Sequence, residues 1–273
     1  MKGDDSITAC LFASGRTRGW SAGRSRSIGL VPEAWYVTRT MRALELLAFQ
    51  PLSAPQLAAS LEIHARTARR LLMRLHEEGY LTLSDDGRRL YTPTLRVVGL
   101  AAQIVERSPL ARLAMPYVAR LHEQTGVAAH LAVPSYRWAL CLVHYANGQG
   151  PVRPHLRELV PAHCTASGKA LLGWRARWRD TVLASPLERH TDRTLVDPAA
   201  IMSEFEAARD RGYATEDGEF QPGVRSVAAP VFDGDAAVAA LAVSGPQLDF
   251  ERLSSTVVAR AGELGAALGA LGG

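Results

Sequence analysis

The sequence has few cysteines, almost no lysine and no long apolar run. Cys10, Cys141 and Cys164 are far apart and form no CxxC pair, which excludes a zinc knuckle and a disulfide framework. The eight histidines show no HxH or HExxH spacing, so neither a metal nor a cofactor is expected. No stretch approaches the ~18 apolar residues of a membrane span. The run 7–13 is too brief for a secretory leader. These absences predict a cytoplasmic protein with reduced thiols and no membrane partner. Of 31 cationic residues, only Lys2 and Lys169 are lysine. What remains is ordinary for a globular chain: 273 residues, 47% hydrophobic and 21% charged, enough for one large domain or two smaller ones.

The formal charge of +4 is unevenly spread. Residues 1–34 carry a net +2, residues 35–96 a net +3, and residues 97–273 a net −1. Positive charge therefore collects in the first third, as it does in chains with a nucleic-acid-binding front end. Residues 1–34 are rich in Gly, Ser and Arg without a sustained apolar period. They are expected to be a disordered basic tail.

Residues 35–96 predict a compact helical unit with a small hairpin. A first helix is expected over 38–49, with Met41, Leu44 and Ala48 on its apolar face. Gln50-Pro51 stops it, because the residue before proline avoids the α region. Ser53 suits an N-cap, and Leu57, Ala58 and Leu61 give the second helix its apolar side. A short turn at 62–64 leads to a third helix over 65–78. At ~100° per residue, Ala68, Leu71, Leu72 and Leu75 fall on one face. Arg66, Arg69, Arg70 and Arg74 fall near the opposite one. A short helix, a tight turn and a basic helix is the helix-turn-helix layout. The alternating segment 80–83, the turn 85–87 and the return segment 88–91 add a wing bearing Arg88 and Arg89. The expected DNA contacts are Ser53, Arg66, Thr67, Arg69, Arg70, Arg74, Arg88 and Arg89. The runner-up reading is a winged helix that binds protein.

Helices are expected over 97–107 and 110–124, with Leu113, Tyr117, Val118 and Leu121 on one face of the second. Strand-like segments follow at 127–133, 138–144, 226–232 and 236–244, the last two joined by the turn 233–235. Helices are expected over 165–174, 198–211 and from about 250, the last with Leu253, Val257, Ala261 and Leu264 aligned. The result is an α+β chain whose second part is a mainly antiparallel sheet with helices packed on it.

Residues 163–170 (HCTASGKA) place a Thr/Ser/Gly turn at the opening of a helix. Unpaired amides there could hold an anion such as a carboxylate, or the turn could be an ordinary cap. Both readings stand. Cys164 beside His163 also admits a cysteine-dependent hydrolase as the alternative function. The acidic cluster at 216–219 reads as a turn.

These segments, in order, resemble the IclR-type bacterial transcription regulators over about residues 36–270. The resemblance is carried by 65–72 (ARTARRLL) with 78–81 (EGYL), and by 92–99 (TPTLRVVG). It continues through 160–172 (VPAHCTASGKALL), 212–219, 222–231 (PGVRSVAAPV) and 240–246 (ALAVSGP). It implies a winged helix-turn-helix over 35–96, then a linker helix and a GAF-like effector domain over 97–273. It also implies a homodimer, or a dimer of dimers, on a palindromic double-stranded DNA operator. A small organic acid would change operator occupancy, and the chain would not be an enzyme. Carried over by position, the effector residues are Cys164, Thr165, Ala166, Ser167, Glu216, Ser226, Ala242 and Ser244. Arg66 stands where many members have Ser, so base preference does not transfer. The 224–226 (VRS) and 161–165 (PAHCT) segments lean towards the branch that regulates aromatic-acid catabolism.

Overall fold

The computed structural model describes residues 32–146 and 159–272. The expected tail therefore lies outside the described residues as far as residue 31, and Cys10 with it. Two compact units divide the chain, one up to Val97 and one from Val98 onward.

In the first unit α1 (Pro32–Phe49), α2 (Ala54–Leu61) and α3 (Ala65–Glu77) precede the strands β1 (Leu81–Leu83) and β2 (Tyr91–Pro93). Helix α1 starts before the expected residue 38. Its buried residues are Ala43 and Leu47, whereas Met41 is 57% exposed and Ala48 is exposed. The buried face thus lies roughly a third of a turn from the expected one, because Leu and Ala occur all around this helix. In α2 and α3 the burial follows the sequence pattern: Leu57, Ala58, Leu61, Ala68, Leu71, Leu72 and Leu75 form the core with Leu52 and Leu81. Glu62, at φ 52°, turns the chain sharply between the two helices. The wing is looser than a two-residue hairpin. Residues 84–90 form a loop closed by Ser84 N donating to Leu90 O at 2.8 Å, and β2 begins only at Tyr91.

Helix α4 (Leu95–Arg107) leads into the second unit, which opens with α5 (Pro109–Thr125). Ser108 caps α5 by accepting from Ala111 N, and Gly126, at φ 72°, ends it. A six-stranded antiparallel sheet follows in the order β5-β4-β3-β8-β7-β6. Its strands are β3 (Ala128–Ser135), β4 (Trp138–Tyr145), β5 (Leu159–Pro161), β6 (Ala214–Asp217), β7 (Arg225–Asp233) and β8 (Ala236–Gly245). Strands β5 and β6 go beyond the sequence pattern: each is short, and the segment 216–219, expected as a turn, opens with the last two residues of β6.

Alternation along the strands sorts two cores onto the two faces. Ala129, Leu131, Val227, Ala229, Val231, Leu241 and Val243 pack with α5 and α9 (Phe250–Gly272). In α9 the aligned residues Leu253, Val257, Ala261 and Leu264 are buried there as the pattern predicts. The opposite face is floored by Ala214, Ala228, Ala240 and Ala242. It carries α6 (Ala166–Leu172), α7 (Ala176–Leu183) and α8 (Pro198–Arg211). These small side chains let α6 lie close on the sheet.

Candidate functional site

Helix α3 presents Arg66, Arg69, Arg70 and Arg74 on its exposed side, with Thr67 half-buried. Arg74 also pairs with Glu77 at 2.9 Å. Arg88 and Arg89 are exposed in the wing loop, where Arg88 lies 3.6 Å from Asp86 and Arg89 adopts φ 53°. The hydroxyl and amide of Ser53 both donate to Gln56 Oε1 at 2.8 Å, so Ser53 is engaged in capping α2. The surface this leaves is a cationic helix face beside a cationic loop. That is suited to phosphate oxygens and to guanine edges, which guanidinium forks match in geometry.

In the second unit the sheet register brings distant residues onto one rung. Glu216 pairs with Ser226, Ser226 with Ser244, and Ser244 with Ala128. The next rung runs Ala214, Ala228, Ala242, His130 and His144. Glu216, Ser226, Ala242 and His130 therefore share the face beneath α6. Ser226 Oγ donates to Glu216 Oε2 at 2.7 Å, and Phe220 N donates to Oε1 at 3.2 Å. Burial raises the Glu216 carboxyl, and these hydrogen bonds pull it part of the way back. Ser226 and Glu216 are buried, whereas Ser244 keeps some accessible surface.

Ser167, from α6, meets the sheet at His130, with Oγ to Nε2 at 2.9 Å. His130 was not among the residues expected in the site. Its side of β3 otherwise carries Ala128, Ala132 and Pro134, so no local pattern marks it, and its partner on α6 is distant in the chain. Burial, with His144 as a second positive charge, lowers its pKa to about 3, so the ring is neutral at pH 7. A neutral imidazole can either donate or accept towards Ser167.

Cys164, Thr165, Ala166 and Ser167 are all buried. Thr165 caps α6: its hydroxyl accepts from Gly168 N at 3.3 Å and donates to Pro161 O at 2.8 Å. Helix α6 spans seven residues, Ala166–Leu172, where a helix over 165–174 was expected. Gly168 sits where a Cβ would lie 2.1 Å from Ala162 O. Only glycine permits that approach. Lys169, buried to 2% exposure, extends Nζ to Glu219 at 2.6 Å and Glu204 at 3.7 Å.

Burial and the charges of Glu216 and Glu219 push the Cys164 thiol well above its ordinary range. A nucleophilic cysteine needs the opposite. His163 Nε2 is turned to Glu188 O at 3.0 Å, and the hydrolase reading therefore finds no activated thiol. The fold does collect His163, Cys164 and His190, which the sequence spacing had not connected.

The family model described as the bacterial transcriptional regulator IclR C-terminal domain matches residues 102–264. The transcriptional regulator BhcR of Paracoccus denitrificans is 32% identical over 247 residues, covering 85% of this chain and 86% of that one. Among solved structures, an IclR transcriptional regulator from Silicibacter sp. aligns with a TM-score of 0.72 at 29% identity, over 86% of this chain and 96% of that one. An IclR homolog from Microbacterium hydrocarbonoxydans, complexed with 4-hydroxybenzoate, aligns with a TM-score of 0.66 at 23% identity, over 86% and 99%. This last likeness is one of fold.

Proposed function

This chain belongs to the IclR family of bacterial transcriptional regulators, and from that premise we propose how it reads DNA and what it senses. It is a regulator and not an enzyme. Residues 35–96 form the operator-binding unit and residues 97–273 the linker helix and effector unit. In the operator complex α3 enters the major groove, with Arg66, Thr67, Arg69, Arg70 and Arg74 towards bases and phosphates. Arg88 and Arg89 follow the adjacent backbone, and Ser53 holds the start of α2 against it. A homodimer, single or paired, matches a palindromic operator in the cytoplasm.

The effector is a small organic acid that also carries a hydroxyl, with a hydroxylated aromatic acid as the leading class. The observation that carries this reading is the pairing of two chemically different groups on one sheet face. Ser167 and His130 offer hydrogen-bond donors suited to a carboxylate, with Cys164, Thr165 and Ala166 forming the turn around them. Glu216 with Ser226 and Ser244 offers acceptors suited to a hydroxyl. Ala242 provides an apolar wall between them for a flat ring. The 4-hydroxybenzoate bound by the Microbacterium homolog has that combination of groups.

The test is retention of genomic DNA fragments on the purified chain, with the bound palindrome footprinted and then challenged with 4-hydroxybenzoate and simpler carboxylates. A discrete footprint is expected, with occupancy that shifts for the hydroxy acid and less for benzoate. With about 8–10 phosphates contacted per dimer, log K should fall against log salt with a slope of about −7 to −9. A chain that retains no DNA at low salt would overturn the operator reading. Equal responses to benzoate and 4-hydroxybenzoate would overturn the hydroxyl assignment.

A further inference from the structure

His163 and Cys164 lie in the turn that opens α6, and His190 comes from the loop between α7 and α8. Their ligand-capable atoms lie within 4.8 Å of one another. We propose that these three side chains bind one divalent transition-metal ion of the zinc class, leaving a fourth position for water or a small anion. This does not rest on the effector reading, although Cys164 borders that site.

Two imidazoles and a thiolate are a borderline-soft donor set, which suits zinc and disfavours magnesium or calcium. Three protein ligands with one open position is a recurrent zinc arrangement. Zinc–nitrogen and zinc–sulfur bonds of about 2.0 and 2.3 Å place tetrahedral donors about 3.3–3.6 Å apart. The donor atoms, within 4.8 Å of one another, need to close by at most about 1.5 Å to reach that spacing.

The surroundings orient the donors. A carbonyl oxygen can only accept, so the Glu188 carbonyl fixes the proton of His163 on Nε2 and leaves the Nδ1 lone pair free. A metal-binding histidine usually has such an outer hydrogen bond. The His190 loop is pinned as well. His190 N donates to Thr194 Oγ1 at 3.0 Å. Thr194 Oγ1 donates to Glu219 O at 2.6 Å, and Thr191 Oγ1 to Gly218 O at 2.7 Å. The His190 ring also stands edge-on to Phe220 at 5.2 Å. His163 and Cys164 are buried and His190 is half-buried, so an ion would enter from the His190 side.

Burial lowers the pKa of both imidazoles. Glu188, Glu216 and Glu219 bring negative charge towards the thiol, while Lys169 and Arg137 bring positive charge to the cluster. Lys169 is itself paired with Glu219. The thiol carries its proton until the ion arrives. Binding then forms the sulfur–metal bond, breaks the S–H bond and releases that proton to solvent. The bound ion ties the His190 loop to the turn that precedes Ser167.

The experiment uses the full chain stripped with a chelator and titrated with Zn²⁺ by calorimetry and with Co²⁺ by absorption. One equivalent is expected to bind, with about one proton released, read from the buffer dependence of the enthalpy. Co²⁺ should give a sulfur-to-metal charge-transfer band. Cys164→Ser should abolish that band, while Cys10→Ser and Cys141→Ser keep it. His190→Gln, a change in a half-buried loop that leaves the turn intact, should weaken Zn²⁺ binding by about tenfold or more. No saturable binding, a band that survives Cys164→Ser, or unchanged affinity in His190→Gln with a native circular dichroism spectrum would each overturn the proposal.

Discussion

Replacing Lys169 by Met tests the packing that holds α6 in place. The Lys169 side chain is 2% exposed, and its ammonium lies 2.6 Å from Glu219 Oε1 and 3.7 Å from Glu204 Oε1. Met fills nearly the same volume, so the change removes charge and little packing. It leaves Glu219, whose side chain is only 13% exposed, without its nearest cation. Breaking one side of a buried pair typically costs about 3–5 kcal/mol. For a unit of this size that corresponds to a melting point lower by about 8–15 °C. The assay is urea and thermal unfolding of the full chain at pH 7. Neutralising both partners in Lys169→Met/Glu219→Gln should recover all but about 1–2 kcal/mol, since no buried charge then stands alone. Burial already raises the Glu219 carboxyl, and Lys169 is the group that opposes it. An acid raised in the folded state adds stability at low pH and loses it as pH rises, so the single variant should regain stability on acidification. A Lys169→Met protein within about 1 kcal/mol of the parent would refute the argument.

Gly168→Ala places a methyl group 2.1 Å from Ala162 O, a backbone atom that cannot swing aside. Unfolding measurements should show a loss of at least about 3 kcal/mol; a smaller loss would mean that α6 can slide on the sheet. His130 has a folded pKa of about 3, below its unfolded value of 6.5. Its contribution is therefore complete above pH 6.5 and falls by about 1.4 kcal/mol per pH unit from there towards 3. His130→Asn should flatten that part of the stability–pH curve. Arg69→Ala or Arg70→Ala should cost about 1–3 kcal/mol of operator affinity where a bidentate base contact is lost; unchanged affinity in both would contradict the docking of α3. Ser167→Trp should abolish carboxylate binding measured by calorimetry while leaving operator binding in place.

The helix that carries the exposed arginines was legible because its signal is local. Ala68, Leu71, Leu72 and Leu75 define one face of α3, and the arginines follow from it. Helix α1 was read less well, since its apolar residues surround the axis and only tertiary contact selects Ala43 and Leu47. The sheet face beneath α6 was half visible. The HCTASGKA turn and the strands of 226–232 and 236–244 were evident, and the family resemblance named Glu216, Ser226 and Ser244. Strands β5 and β6 are too short to show a period, and they are held only by their neighbours. His130 and His190 were missed for a related reason. Each reaches its partner across the sheet or from a distant loop, and strand order is not written in any local window.

The register of β7 and β8 separates two kinds of evolutionary freedom by parity. Odd-numbered Val227, Ala229, Leu241 and Val243 belong to the core under α5 and α9. Even-numbered Ser226, Ala228, Ala242 and Ser244 look towards α6. Single changes at Ser226 or Ser244 therefore alter the face beneath α6 without touching the core under α5 and α9. Ala228 and Ala242 are themselves fully buried beneath α6, so a library that varies Ser226 and Ser244 and keeps those alanines small changes the chemistry of that face at the least cost in packing, whereas the same library shifted by one residue would strike the core under α5 and α9.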